Sequence, residues 1–299
     1  MPVTQHDILL LNTLARFYVL TREQLQRLCF PDHQSGRSTR KRLTKLRQDG
    51  YLQKHRIPVA FPGTNAAAPV YYLAKPAAEV LASWFGDESF LAVNTKTPRG
   101  DRLNHWIAVN ETRMTLERAV AAEPRVKLEA WINEWETVNK DAAAAEQFCL
   151  HTQLHENPPL SCSPDAGFLL TLGPYRKVYY LEQDLGTSSP QQVAARKTKG
   201  YAELAAIEGH RRHFPSTTFN VFGVLCLTTN AYRRKAIAKC VAKRPRPELW
   251  LFIDQSEVTP ESFLTGPITY NHAEQPAPLV ELDSDSTDNQ PPSQSGNPQ

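Results

Sequence analysis

Residues 163–187, SPDAGFLLTLGPYRKVYYLEQDLGT, limit the possible folds more than any other stretch of the chain. Two apolar, strand-forming runs flank Gly173-Pro174, a dipeptide that reads as a turn. Folding back at that turn makes a hairpin and brings Asp165 opposite positions near 183. Glu182 and Asp184 are two residues apart, so on a strand they share a face. Asp165, Glu182 and Asp184 thus gather at one end of one hairpin. Three carboxylates so placed repel one another unless a cation sits between them, and a hard divalent ion such as Mg²⁺ suits such an oxygen-rich setting. The plainer alternative is a turn cap at Asp165 and solvated acids at 182 and 184.

The next helix begins at Pro190, a favourable first helical position. Val193, Lys197, Tyr201 and Leu204 fall on one stripe of it. A lysine on an otherwise apolar, sheet-facing stripe needs a carboxylate partner or a chemical task, which singles out Lys197. Lys199 lies on the far side and reads as solvated. Around this segment the pattern predicts helix 104–122, strand 126–132, strands 166–172 and 177–183, helix 190–208, strand 218–228, helix 230–242 and strand 248–253. Mixed elements in that order predict an α/β (α+β) sandwich around a mixed sheet.

The first 84 residues read differently. Apolar spacing predicts a helix over His6–Phe17, and Thr21 with Gln24 forms a capping-box pattern for a second helix ending before Pro31. A third helix is predicted from about Ser38 to Gln48, stopped by Gly50, with Leu43 and Leu46 inward. Tyr51–Gln53 and Val70–Leu73 read as strands around a turn-rich wing at 57–69, followed by a closing helix over Ala77–Trp84. Arg37, Arg40, Lys41, Arg42, Lys45 and Arg47 place six bases and no acid on the third helix. Phosphates would relieve their repulsion, and Arg or Lys could reach guanine edges in a major groove. Lys54 and Arg56 flank the wing, where backbone contacts are expected. Three helices and a wing predict a winged helix-turn-helix that binds double-stranded DNA.

Charge supports this division. Residues 1–56 hold eleven Lys/Arg against four Asp/Glu, whereas Glu281, Asp283, Asp285 and Asp288 meet no base after Pro278. The sequence reading gives a winged helix-turn-helix at 1–84, a linker at 85–102, the mixed-sheet domain at 103–255 and a disordered acidic tail at 276–299. The five cysteines form no CxxC pair, which suits reduced thiols. No apolar run approaches the roughly 20 residues of a membrane span, and no signal-peptide pattern opens the chain, so the expected location is cytoplasmic. His105 reads as a packed helix residue, Glu111 as at most a marginal acidic member, and Trp131 and Trp135 as core or interface residues. The helix after Asn230 carries Arg233, Arg234, Lys235, Lys239 and Lys243, which suit either phosphate contact or solvation.

Pro164-Asp165 followed one strand later by Glu182 resembles the PD-(D/E)xK nuclease fold, a restriction-endonuclease-like architecture. That resemblance implies catalytic roles for Asp165, Glu182 and Lys197, with Asp165, Glu182 and Asp184 holding Mg²⁺. The sequence departs from the motif at Asp184, where lysine is expected; Lys197 would supply that lysine from the helix. With Leu103-Asn104-His105, Asn110-Glu111, Ser163-Pro164-Asp165-Ala166 and the string Glu182-x-Asp184-x-Gly186-Thr187 before Lys197 and Tyr201, the chain resembles the replication-relaxation family of plasmids and mobile elements. The resemblance covers about residues 6–255. It implies DNA binding in replication, relaxation or mobilisation, together with other replication or mobilisation proteins. The alternatives are an active Mg²⁺-dependent endonuclease or nickase and a transcriptional regulator.

Overall fold

Tyr175–Gln183 and Ala166–Leu172 do pair antiparallel about Gly173, which has a φ of 55°, and they lie inside a seven-stranded sheet. A computed structural model describes residues 3–32, 35–56, 69–139, 141–142 and 144–282. In chain order the elements are α1 (Gln5–Phe17), β1 (Leu20–Thr21), α2 (Arg22–Cys29), α3 (Arg37–Gln48), β2 (Leu52–His55), β3 (Val70–Leu73) and α4 (Lys75–Phe85). There follow α5 (Leu103–Ala122), β4 (Val126–Asn133), α6 (Ala144–Gln147), β5 (Thr152–Glu156), β6 (Pro159–Cys162), β7 (Ala166–Leu172), β8 (Tyr175–Gln183), α7 (Pro190–Ala206) and α8 (His210–His213). The last are β9 (Gly223–Thr228), α9 (Ala231–Val241), β10 (Trp250–Asp254), β11 (Thr269–Tyr270) and β12 (Pro276–Ala277). The fold is mixed α/β.

In the first unit, capping boxes start α1 at Thr4 and α2 at Thr21, each satisfying two otherwise orphaned backbone N–H groups. Leu10, Leu14, Phe17, Leu25, Leu43 and Leu46 bury one face of each helix in a common core with Leu52, Leu73 and Leu81. A three-stranded antiparallel sheet in the order β1-β3-β2 closes that core. The expected wing at 57–69 lies, but for Pro69, outside the described residues.

The second unit has strand order β12-β11-β10-β9-β8-β7-β4, with β8, β9 and β10 parallel and the remaining neighbours antiparallel. Alternation along the strands sends Phe168, Tyr179, Leu181 and Leu225 into one core with Val109 and Leu116 of α5. It sends Leu169, Tyr180, Val224 and Cys226 into another with Tyr201 of α7 and Ile237 of α9. Helices therefore cover both faces, as parallel strands require.

Several boundaries differ from expectation. The strand expected from 218 begins at Gly223, because Thr218 N–H and the Thr217 hydroxyl are already satisfied by Arg176 O, at 2.9 Å each. The β5–β6 hairpin lies in a stretch to which the periodicity assigned nothing. The presumed linker at 85–102 is laid against the first unit instead. Phe90 and Val93 pack on its core, and the Tyr18 hydroxyl donates to Lys96 O. The tail does not begin at 276: β12 pairs with β11, Leu279 is buried, and its carbonyl accepts from the Tyr179 hydroxyl at 3.1 Å. Residues 283–299 lie outside the described residues.

His213 of α8 joins the hairpin to the sheet. Its Nε2 lies 3.0 Å from Thr152 Oγ1 and its Nδ1 2.5 Å from the Tyr180 hydroxyl. Burial, with Arg212 nearby, depresses its pKa to about 4. A depressed folded pKa gives stability that is present above the unfolded value and lost as pH falls toward the folded one. Wild type should therefore lose about 2 kcal/mol from this residue between about pH 7 and pH 4.5. Urea unfolding at both pH values should show a shallower acid loss in His213→Gln, and equal slopes would refute the assignment.

Candidate functional site

The site is built at one end of the second unit's sheet, where β4 ends, β7 begins and β8 ends. Asp165 directly precedes β7. Its N–H donates to Leu181 O and its carbonyl accepts from Glu134 N, both at 3.1 Å. Its side chain is nine-tenths buried, and Oδ2 accepts from Gln183 N at 2.8 Å, so the carboxylate has one orientation. Glu182 projects from β8 toward α7 and is equally enclosed. Lys197 reaches back from α7. Its Nζ lies 2.8 Å from Glu182 Oε2, 2.9 Å from Glu182 Oε1, 3.1 Å from Ser163 O and 3.9 Å from Asp165 Oδ1. One turn on, the Tyr201 hydroxyl donates to Glu182 Oε1 at 2.5 Å. Asp165, Glu182 and Lys197 therefore do come together, and the partner demanded by a lysine on an apolar stripe is Glu182.

The electrostatics follow from this packing. Burial alone would lower Lys197, but Glu182 and Asp165 outweigh it and hold the ammonium form. Burial would raise Asp165, yet Lys197 and His105 together bring it below the ordinary carboxylate range. Glu182 goes the other way: burial and the neighbouring Asp165 charge push it up, to about 7, against the opposing pull of Lys197. Of the two acids, Glu182 is therefore the one that takes a proton first as pH falls.

Asp184 does not join them. β8 ends at Gln183, and Asp184 turns toward the first turn of α9, where Arg233 holds both of its oxygens, the Nη2–Oδ1 contact at 2.7 Å. The same guanidinium donates to Ser188 O at 2.6 Å. The alternation that pairs 182 with 184 requires a strand that has already ended. The expected Mg²⁺ set of Asp165, Glu182 and Asp184 consequently does not fit: Glu182 turns to Lys197 and Asp184 to Arg233, so among the described residues the three carboxylates do not converge on one point.

Two residues outside the expected site meet Asp165 instead: His105, read from the sequence as a packed helix residue, and Glu134, which the sequence reading did not single out. His105 Nε2, from the first turn of α5, lies 3.2 Å from Asp165 Oδ1. Glu134 follows β4, where it accepts from Trp106 Nε1 and from Arg102. One ligand-type atom each from His105, Glu134 and Asp165 lies within 4.8 Å of the others. The register Asn133↔Ala166 places residue 134 beside residue 165, a neighbour set by pairing across the segment that holds β5 and β6. Glu111 is elsewhere, clamped by Arg27 at 2.5 and 2.6 Å. Trp131 stacks on Phe168, and Trp135 packs on Tyr18 across the contact between units.

The basic surface lies on the first unit. Arg37, Arg40, Lys41 and Arg47 of α3 are exposed, Lys45 is half-exposed, and Lys54 and Arg56 are exposed on and just after β2. Arg42 departs from expectation. It reaches α1, where Nη1 lies 3.0 Å from buried Asp7 and 3.1 Å from Thr4 Oγ1, and so it ties α3 to the α1 cap. Burial would raise Asp7, but Thr4 and Arg42 together hold it below the usual carboxylate value. Four bases of this unit, Arg16, Arg22, Arg27 and Arg42, are ion-paired. Among the described residues, Arg37, Arg40, Lys41, Lys45, Arg47, Lys54 and Arg56 have no carboxylate within 4.0 Å, and all lie between 37 and 56.

Among the described residues no helix is long and apolar enough to cross a membrane. A family model described as replication-relaxation matches residues 11–217. No curated protein and no solved structure matches the chain.

Proposed function

The chain belongs to the replication-relaxation family, and we propose that it serves replication or relaxation of a mobile element as a cytoplasmic double-stranded-DNA-binding protein. In this reading the first unit is a winged helix-turn-helix whose α3 enters the major groove, and the sheet unit is a nuclease-like module that docks on DNA or on other replication or mobilisation proteins. One observation carries it. Among the described residues, seven bases without carboxylate partners are concentrated on and beside α3 and β2, while Arg16, Arg22, Arg27 and Arg42 of the same unit are paired. Like charge held together without internal compensation is unfavourable unless a polyanion supplies it.

The test is duplex binding by fluorescence anisotropy at two salt concentrations. Arg40→Ala/Lys41→Ala/Lys45→Ala should weaken binding at least about tenfold at the lower salt. It should also flatten the salt slope by about 0.9 per phosphate contact removed. Unchanged affinity and slope would reject the reading. Metal-dependent cleavage is a second reading, favoured by the convergence of Asp165, Glu182 and Lys197. Supercoiled plasmid incubated with Mg²⁺ or Mn²⁺ should be nicked by the wild type and not by Asp165→Ala; no nicking by either protein removes that reading.

A further inference from the structure

We propose that His105, Glu134 and Asp165 form a binding site for one first-row divalent cation of the Mn²⁺-to-Zn²⁺ series. This site is distinct from the all-carboxylate Mg²⁺ set suggested by the sequence. Three elements deliver the ligands. α5 supplies the imidazole, the end of β4 supplies Glu134, and the start of β7 supplies Asp165.

Two observations point to a ligand-binding role for these atoms. The first is the convergence of three ligand atoms within 4.8 Å. The second is the state of the atoms that face one another. His105 Nε2 is fully enclosed and makes no hydrogen bond, although Asp165 Oδ1 is only 3.2 Å away, because the two are not aligned as donor and acceptor. Asp165 is nine-tenths buried, its Oδ2 is taken by the Gln183 N–H, and its Oδ1 lies between His105 Nε2 at 3.2 Å and Lys197 Nζ at 3.9 Å. An enclosed imidazole nitrogen without a well-aligned hydrogen-bond partner is costly in a folded protein. A cation coordinated by both atoms would satisfy nitrogen and oxygen at once.

The donor chemistry selects the metal class. One imidazole and two carboxylates make a mixed nitrogen–oxygen set, which suits Mn²⁺, Fe²⁺, Co²⁺ or Zn²⁺ better than Mg²⁺, with its preference for oxygen and water. The carboxylate of Glu134 is positioned by Trp106 and Arg102, and that of Asp165 by the Gln183 N–H. Such supporting contacts orient metal ligands. A carboxylate has about four lone-pair sites, so neither acid is exhausted by these contacts. Glu134 also lines a groove between the two units together with Arg99, Arg102, Trp135 and Ser163, which gives an ion a route in from solvent.

The experiment titrates Mn²⁺ into the DNA-free full chain and follows free Mn²⁺ by its six-line EPR signal. Because no DNA is present, the result stands or falls apart from the duplex-binding test. Wild type should take up one Mn²⁺ per chain, weakened at least about tenfold in His105→Ala. Glu134→Gln should show the same loss, and it supplies the reading if the histidine variant fails to fold. Asp184→Asn should keep wild-type affinity. Excess Mg²⁺ should displace the bound Mn²⁺ poorly. No saturable uptake, wild-type affinity in both His105→Ala and Glu134→Gln, or loss confined to Asp184→Asn would each overturn the assignment.

Discussion

Lys197→Met is expected to destabilise the protein by about 2–4 kcal/mol at neutral pH. Breaking a fully buried ion pair costs about 3–5 kcal/mol, and the smaller figure allows for the third of the Lys197 side chain that reaches solvent. Methionine keeps the length of the stem on the α7 stripe and removes only the charge. Glu182 and Asp165 then face each other across a low-dielectric space, and Glu182, already raised by burial, rises further. A carboxylate whose folded pKa lies above its unfolded value is favourable below the unfolded value and is lost as pH rises through the folded one. The variant should therefore recover relative to wild type on acidification and be weakest above neutrality. Urea unfolding at about pH 5 and pH 8 resolves the difference. Adding Glu182→Gln should restore a large part of the loss, because it removes the charge that Lys197 compensates. Equal stability of Lys197→Met and wild type at pH 8 would show that the pair contributes nothing.

Arg113→Met should cost about 2–4 kcal/mol, by a different route. Arg113 lies on α5 between the two units and is buried. Its guanidinium carbon sits 4.5 Å from the Phe17 ring of α1 and 5.5 Å from the Trp131 ring of β4. Nε donates to Glu117 at 2.8 Å and Nη1 to Arg16 O at 3.0 Å. Methionine retains much of the stem and loses both hydrogen bonds and both cation–π contacts. The neighbouring Asn110 amide, which donates to Phe17 O at 3.2 Å and Val19 O at 2.7 Å, would hold the units with less support. The expected signature is a lower midpoint with a broadened or split thermal transition. A single transition at the wild-type midpoint would refute it.

The sequence made the Gly173-Pro174 hairpin, the basic third helix and the Lys197 stripe readable, because each is a local periodicity. It did not reveal His105 and Glu134 beside Asp165, because the first meeting depends on how α5 packs on the sheet and the second on the register between β4 and β7 across a long insertion. Asp184 was misplaced by extending a two-residue alternation one residue beyond the end of β8. Arg42 looked equivalent to its basic neighbours because its partner Asp7 lies on another helix, 35 residues earlier. The segment after 275 read as tail from its Pro and Gln content, although two edge-strand residues and one buried leucine are enough to dock it.

α5 places Met114 in the core of the first unit and Val109 and Leu116 in the core of the second, while His105 stands at the sheet-end cluster. One helix is thus a ruler between α3 and the cluster. Each residue inserted into it would rotate one unit by about 100° relative to the other and lengthen the span by about 1.5 Å. The phase at which α3 faces the cluster is written into helical pitch.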